Sequence, residues 1–389
     1  MKHSPETEPN RVLHVSEAGG GVARHLRLIV PSLRRLGIES DVVLSPARHE
    51  PGFAETVQAL RDSDCRVNTI YMRRMPDPLT DLPAAWRLRQ TIHAWKPEVI
   101  HAHATKAGLL ARLPGVVDRS IPVVYSPHAF FFERFRLQCL KQLATRLERV
   151  LAHRTDRYVF VSEGERAVAG RHRLPVEKAS VIENSLPTDF GAELLTRQAA
   201  RAALDMPDDS LLIAVVGRFV PQKGHGWLLE SLEHCRLPAS KTVRVLFIGT
   251  GPCEEKVREQ VAAFDLETLV QFPGYIPSVW RYMRAFDLAI VTSRYEGLAY
   301  TILEYLAAGV PFIASDIPAN FPDPEMRQHV PAVPLDDVHA LRKAIESMLH
   351  DSAKRTAFQQ WAPAFVQRRF NVERQTELLA DCYRSLRSP

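Results

Sequence analysis

The sequence predicts a parallel α/β protein built as two doubly wound domains in tandem, and three observations carry that expectation. Short apolar runs alternate along the chain with helix-length segments of helical period. The runs are continuous rather than alternating, as strands covered on both faces should be. The same grammar then restarts after about Leu186. At 389 residues there is room for roughly two or three domains, each able to bury its own core.

Taken in order, RVLHV at 11–15 ends at a glycine cluster, and a helix-length segment follows to about Leu36. DVVL at 41–44, VNTIY at 67–71, EVIHA at 98–102, PVVYS at 122–126 and YVFVS at 158–162 continue the first series. LLIAVVG at 211–217, VRVLFIG at 243–249, LVQFPG at 269–274, LAIVTS at 288–293 and VPFIAS at 310–315 form the second. The segment VERQTELLADCYRSLRS near the C-terminus is helical by period. The expected division is a first domain over 1–190, joined by a C-terminal helix at 370–389, and a second over 191–369. Loops between the runs are short, as such folds require. Two Rossmann-like domains of this kind are expected to face each other across a cleft, with ligand at the carboxyl ends of the strands.

Composition excludes several classes. No stretch approaches the ~20 apolar residues that span a bilayer. MKHSPETEPN lacks the apolar core of a signal peptide and reads as a short disordered lead-in, so the cytoplasm is the expected location. The cysteines at 65, 139, 235, 253 and 382 are scattered, without a CxxC pair or a histidine at ligand spacing. Reduced thiols are therefore expected, and neither a disulfide framework nor a zinc site. The net charge is only +5, but bases cluster between Glu133 and Arg157. Arg134, Arg136, Lys141, Arg146, Arg149, Arg154 and Arg157 there outnumber Glu133, Glu148 and Asp156. Leu137, Leu140, Leu143, Leu147 and Leu151 interleave at helical spacing. Such a helix can lie on anionic lipid at the inner face of the cytoplasmic membrane. The preferred expectation is the other one, with the leucine stripe packed into the core and the arginines in water. No aromatic-interleaved basic strand supports nucleic acid binding.

Three segments carry candidate chemistry. Gly19, Gly20 and Gly21 follow the first strand and open a helix, where backbone can approach an anion closely. A dinucleotide fingerprint would need a third glycine where Arg24 stands and an acid where the second strand ends at Ser45, which counts against NAD. GRFVPQKG at 217–224 places Arg218 and Lys223 just past a strand, where the two cations can neutralise two phosphates without metal. In YEGLAYTILEYLAAGVPFIASD at 295–316, Glu296 ends a loop and Glu304 lies on the helix that follows. Eight helical residues rise ~12 Å, so these carboxylates suit separate roles better than a shared acid–base job. Gly297, Leu298 and Ala299 are expected to begin that helix and offer amides to a diphosphate. The DxD of Asp62 and Asp64 sits at a helix-to-strand junction and reads as surface.

The last two segments, in this order and spacing, resemble the family-4 retaining glycosyltransferases of GT-B fold, and the likeness covers nearly the whole chain. GGGVARHL resembles the family's N-terminal glycine loop, HAHATKAGLLAR (101–112) and YSPHAFF (125–131) its acceptor-domain signatures, VIENSL (181–186) its linker approach and IGTGP (248–252) a donor-domain turn. The Glu296 to Glu304 pairing is its most distinctive motif. The resemblance implies transfer of a sugar from a nucleotide diphosphate, with UDP favoured, to a glycan or lipid-linked acceptor in cell-surface polysaccharide biosynthesis. It implies no cofactor and no metal. Arg218 and Lys223 would hold the donor diphosphate, Glu304 the ribose hydroxyls, and Glu296 the donor sugar near its anomeric centre. His128 would contact the sugar from the other domain, Gly20 and Gly21 would lie against phosphates or acceptor, and Gly274 with Tyr275 would flank the base.

Departures from the family pattern touch specificity. Ala299 stands where the glutamate loop often has glycine, NSL at 184–186 replaces the usual Asn-Gly, and IPANFPDPEMRQHVPAVPLDD after Ser315 and Asp316 is proline-rich. Competing readings are a GT-B epimerase or phosphorylase and a non-catalytic nucleotide-sugar-binding protein. Phe130, Phe131 and Phe132 beside His128 are expected in the core more than on lipid.

Overall fold

The computed structural model describes residues 11–17, 19–47, 51–135 and 137–386. The lead-in expected over residues 1–10 and Arg136 of the basic segment lie outside these described residues. Two compact units emerge, one comprising Met1–Ser185 with Val372–Pro389 and the other Leu186–Asn371. The junctions drawn from sequence at 190 and 370 differ by a few residues. Inside the second unit the Leu186 amide donates to the Phe370 carbonyl, which ties both crossing strands of chain to that unit's edge.

The first unit is a sheet of seven parallel strands: β1 (Arg11–Ser16), β2 (Glu39–Leu44), β3 (Val67–Thr69), β4 (Val99–His103), β5 (Val123–Ser126), β6 (Arg157–Phe160) and β7 (Ala179–Val181). Their order is β3-β2-β1-β4-β5-β6-β7. β1 therefore runs between β2 and β4, with Val12 opposite Ser40 on one side and Val99 on the other. Apolar residues fill both faces of the sheet, as the continuous runs require. The covering helices are α1 (Gly21–Arg35), α2 (Phe53–Arg61), α3 (Pro78–Trp95), α4 (Thr105–Ala111), α5 (Gln138–Leu151) and α6 (Glu163–Arg171).

Helix α5 corrects the preferred reading of the basic segment. Leu137 (63% exposed), Leu143 (64%) and Val150 (65%) face solvent, with Leu140 and Leu147. Its buried side carries the polar Thr145 and Glu148, with Leu151 buried at its end. The reason lies in Arg112, which is fully buried and donates Nη1 to Glu148 Oε1 at 2.6 Å and Nη2 to Oε2 at 2.9 Å. A buried guanidinium must be matched by a carboxylate, and that fork sets the rotation of α5, turning its leucines outward. Phe130 and Phe132 are buried and Phe131 half-buried. Cys65 and Cys382 are buried free thiols, and Asp62 and Asp64 are exposed.

The second unit repeats the plan with β8 (Leu211–Val216), β9 (Val243–Ile248), β10 (Val270–Gly274), β11 (Leu288–Val291), β12 (Phe312–Ser315) and β13 (Ala332–Val333). The order is β10-β9-β8-β11-β12-β13, again all parallel. Helices α7 (Arg197–Ala203), α8 (His225–Glu233), α9 (Glu254–Ala263), α10 (Tyr300–Ala308), α11 (Val338–His350) and α12 (Ser352–Arg369) cover it. The chain then returns to the first unit as α13 (Val372–Ser385), whose Leu379 and Tyr383 join the core beside Leu26 and Ile29 of α1. In both units the strand order reverses between the first and fourth strands. Loops leaving the carboxyl ends of those strands diverge there and leave a crevice.

Candidate functional site

The sequence-derived candidates fall at these two reversal points, one set in each unit. In the second unit the loop after β8 carries Arg218, Gln222 and Lys223, and the loop after β11 carries Glu296. Lys223 Nζ donates to Glu296 Oε1 at 2.6 Å. Gln222 Nε2 donates to the Tyr295 carbonyl at 2.8 Å and to Glu296 Oε2 at 3.2 Å. The backbones are stitched as well, with the Arg294 amide on the Gln222 carbonyl and Thr292 Oγ1 on the Lys223 carbonyl, both at 2.8 Å. Gly224 makes this approach feasible, since it takes φ +66° and a Cβ there would collide with the Thr292 carbonyl. The pair is only partly shielded, its side chains 20% and 11% exposed, so an anion can reach the ammonium.

Helix α10 starts at Tyr300 with Ala299 as its N-cap and no side-chain cap. Gly297 and Leu298 therefore precede the helix rather than begin it, as the sequence expectation had it. The N-terminal end of the helix dipole gives the strand end a positive edge. Glu304 lies one turn further and is 4% exposed, so it is a buried carboxylate rather than a solvated one. Gly274 ends β10 with φ +77°, and Tyr275 beside it is 42% exposed. His225, stacked on Phe219 at 5.0 Å, is held down to about 4 by burial and then by the Lys223 charge.

In the first unit Gly20 caps α1 with φ +55° and Gly21 is the first helical residue. His128 follows β5 in a left-handed conformation, φ +53°, and Ala129 continues it at +94°. Non-glycine residues there cost of order 1–3 kcal/mol each and need outside support. Glu165 of α6 supplies it: one carboxyl oxygen accepts the Ala129 amide at 2.7 Å and the other the Val161 amide at 2.9 Å. Burial pushes this carboxyl up to about 7.

His128 does not stand alone. Its Nε2 meets His103 Nδ1 at 3.1 Å, and His103 Nε2 meets His14 Nδ1 at 3.0 Å. His25 of α1 stands against both, and His101 uses its two nitrogens on Tyr383 and Ser126. All of these imidazoles are held neutral, with burial the first cause. His14 falls to about 3 and His25 to about 4. Sequence reasoning named only His128. It missed His14, His25, His103 and Glu165, although the HxH of 101–103 places two histidines on one face of a single strand end and was a usable signal.

Residues 19–190 match the family described as Glycosyltransferase Family 4, and 210–351 match Glycosyl transferases group 1. The UDP-Gal:alpha-D-GlcNAc-diphosphoundecaprenol alpha-1,3-galactosyltransferase of Escherichia coli is 24% identical over 250 residues, 62% of this chain. That match spans 64% of the relative's length, less than two thirds. The lipopolysaccharide core biosynthesis glycosyltransferase LpsD of Rhizobium meliloti is 26% identical over 377 residues, 96% of this chain and 98% of LpsD. Among solved structures, Anabaena HepE in complex with UDP-glucose superposes with a TM-score of 0.79 at 20% identity, covering 96% of this chain and 99% of that one.

Proposed function

This chain belongs to the GT-B glycosyltransferases, a family-4 domain followed by a group 1 domain, and from that membership we propose a retaining, metal-independent transfer of a sugar from a nucleotide diphosphate. The observation that carries the reading is the Lys223–Glu296 pair at 2.6 Å beside the uncapped start of α10. It sets a cation and a carboxylate beside a helix N-terminus at one strand end, which is what a diphosphate joined to a sugar needs.

In this reading Arg218 and Lys223 neutralise the donor diphosphate, helped by the amides around Gly297, Leu298 and Ala299. Glu296 orients the donor sugar at its anomeric carbon, Glu304 holds the ribose hydroxyls, and Gly274 with Tyr275 flanks the base. His128, neutral and half-buried, is the sugar contact from the N-terminal unit, where Gly20 and Gly21 admit phosphate or acceptor. The bond from the anomeric carbon to the diphosphate breaks as the acceptor oxygen bonds on the same face. The acceptor proton passes to the departing phosphate oxygen. The protein supplies orientation and stabilises charge on the leaving group.

UDP is the favoured nucleotide, supported by the HepE complex. A glycan or lipid-linked acceptor in lipopolysaccharide or exopolysaccharide synthesis is supported by the two relatives. The outward leucines of α5, flanked by Arg146 and Arg149, support docking on an anionic membrane at its cytoplasmic face. Leu79, Leu82 and Trp86 on α3 are exposed as well. Among the described residues no helix is long and apolar enough to cross a membrane.

The test is a thermal-shift panel with UDP, GDP, ADP and NAD, with chelator, on wild type and Arg218→Ala, followed by NMR of the product anomer. Ligand at 100 times its dissociation constant should stabilise by about 2.7 kcal/mol. A shift with UDP that Arg218→Ala abolishes, and a product that keeps the donor's anomeric configuration, is the expected result. An inverted product, or a strict need for metal, would sink the mechanism. Nucleotide binding without any transfer would favour a non-catalytic protein.

A further inference from the structure

We propose that His25, His103 and His128 form a tris-imidazole site for one divalent d-block cation of the zinc class. Each offers one ring nitrogen, and these three atoms lie within 4.8 Å of one another. One pair, His103 Nδ1 and His128 Nε2, is 3.1 Å apart. Two nitrogens bound to one tetrahedral zinc are ~3.3 Å apart. The ring centroids agree better still: His25 to His103 is 5.5 Å, His25 to His128 5.0 Å, and His103 to His128 5.4 Å. Three imidazoles on a tetrahedral zinc place their centroids ~5.2 Å apart. Ring-nitrogen contacts join His14, His103 and His128 in a line, and His25 closes a triangle with the last two.

The surroundings are those of ligands rather than of a bare core. Metal-bound histidines are oriented by a hydrogen bond at the nitrogen facing away from the metal. His103 finds one on His14 Nδ1 at 3.0 Å, and the buried Asn184 side chain stands against His25. Burial holds all three rings in the neutral form that ligates. Three protein nitrogens leave a fourth position open, and half-buried His128 gives access to it. The neighbouring group of His14, His101 and His103 is not equivalent, because His101 already spends both nitrogens on Tyr383 and Ser126. The site involves no diphosphate, and binding alone reads it out, so it stands or falls apart from the transferase reading. Occupation would take Nε2 of His128 and leave its Nδ1 for substrate.

The experiment is a Co2+ titration of the full chain after removal of metal by chelator, followed through the visible absorption of tetrahedral Co2+. One equivalent should bind, and Zn2+ should bleach the bands. His25→Gln and His128→Gln should each weaken binding by more than about 100-fold, and loss of the outer partner in Asn184→Ala by about 10–100-fold. The exposed His93→Gln serves as control and should bind as wild type. X-ray absorption of the Zn2+-loaded wild type, which needs no variant to fold, should fit three imidazoles. Fewer than three in that fit, or Co2+ binding unchanged in His25→Gln, would overturn the proposal and leave a hydrogen-bonded imidazole chain only.

Discussion

The two units share a strand order and place their candidate residues at the same reversal point, yet the chemistry there is opposite. The N-terminal unit gathers imidazoles that burial keeps neutral, around a strained turn braced by Glu165. The C-terminal unit holds an ammonium against a carboxylate, still partly open to solvent. The N-terminal unit does bury an ion pair, Arg112 with Glu148, but spends it on packing α5. Topology therefore decides where a parallel sheet can meet a ligand, and the side chains at the strand ends decide what kind of contact is made.

The largest effect should separate the two ion pairs. Arg112→Met leaves Glu148 buried without its partner and should cost about 3–5 kcal/mol, read by chemical denaturation. Lys223→Ala should leave stability within about 1 kcal/mol, since its pair is not fully desolvated. Equal losses would erase the distinction between a packing pair and a binding pair.

Activity should divide the other way. Lys223→Ala removes charge facing the leaving group and should lower kcat about 10²–10³-fold. His128→Gln removes a neutral contact and should cost about tenfold. A His128 variant as damaged as Lys223→Ala would make the N-terminal unit an equal electrostatic partner. Steady-state kinetics on the same donor decides it.

A third effect follows from the imidazoles. Their folded pKa values lie below the unfolded value of about 6.5, with His14 near 3 and His25 near 4. Below pH 6.5 the unfolded chain takes up protons that the folded chain does not, so stability should fall on acidification through the window from about 6.5 to 4. Glu133 and Glu165, raised to about 7 by burial, act in the opposite sense. They stabilise fully below the unfolded carboxyl value and lose that contribution as pH rises towards 7. The clustered histidines outnumber them, so the net slope is expected to follow the histidines. Hydrogen exchange should show protection lost on acidification first in the N-terminal unit. His25→Gln should flatten the slope by up to about 1.4 kcal/mol per pH unit. Equal loss in both units would contradict the contrast.

The smallest change in stability is expected at α5. Leu143→Asp with Leu147→Asp should move stability by no more than about 0.5 kcal/mol, because both leucines already face water. The same pair should lose co-sedimentation with anionic vesicles, as should the triple change of Arg146, Arg149 and Arg154 to glutamate. By contrast Leu303→Ala, buried in α10, should cost about 2–5 kcal/mol.

Much of the fold was legible because a strand covered on both faces must be apolar throughout, and such runs as 211–216 and 288–291 have no other simple reading. The short edge strands β7 and β13 escaped, since three and two residues carry no period. In the candidate site, glycine–base and glutamate spacing marked Arg218, Lys223 and Glu296 as residues of interest. That Lys223 reaches Glu296 across 73 positions is a fact of tertiary structure. Glu165 gave no local signal, because its task is to satisfy amides on a turn 36 residues away.

The sequence by itself determined the two parallel α/β series, the position of the loops that follow their strands, and that α5 has one apolar side. Only the tertiary structure decided which way that side faces. Periodicity measures the separation of apolar from polar residues and is blind to direction, whereas the buried guanidinium of Arg112 had to be met by Glu148 and so turned the leucines out. The imidazole cluster has the same origin: β1 with α1, β4 and the loop after β5 are far apart in the chain, and only parallel pairing at the reversal point brings their histidines within reach of one another.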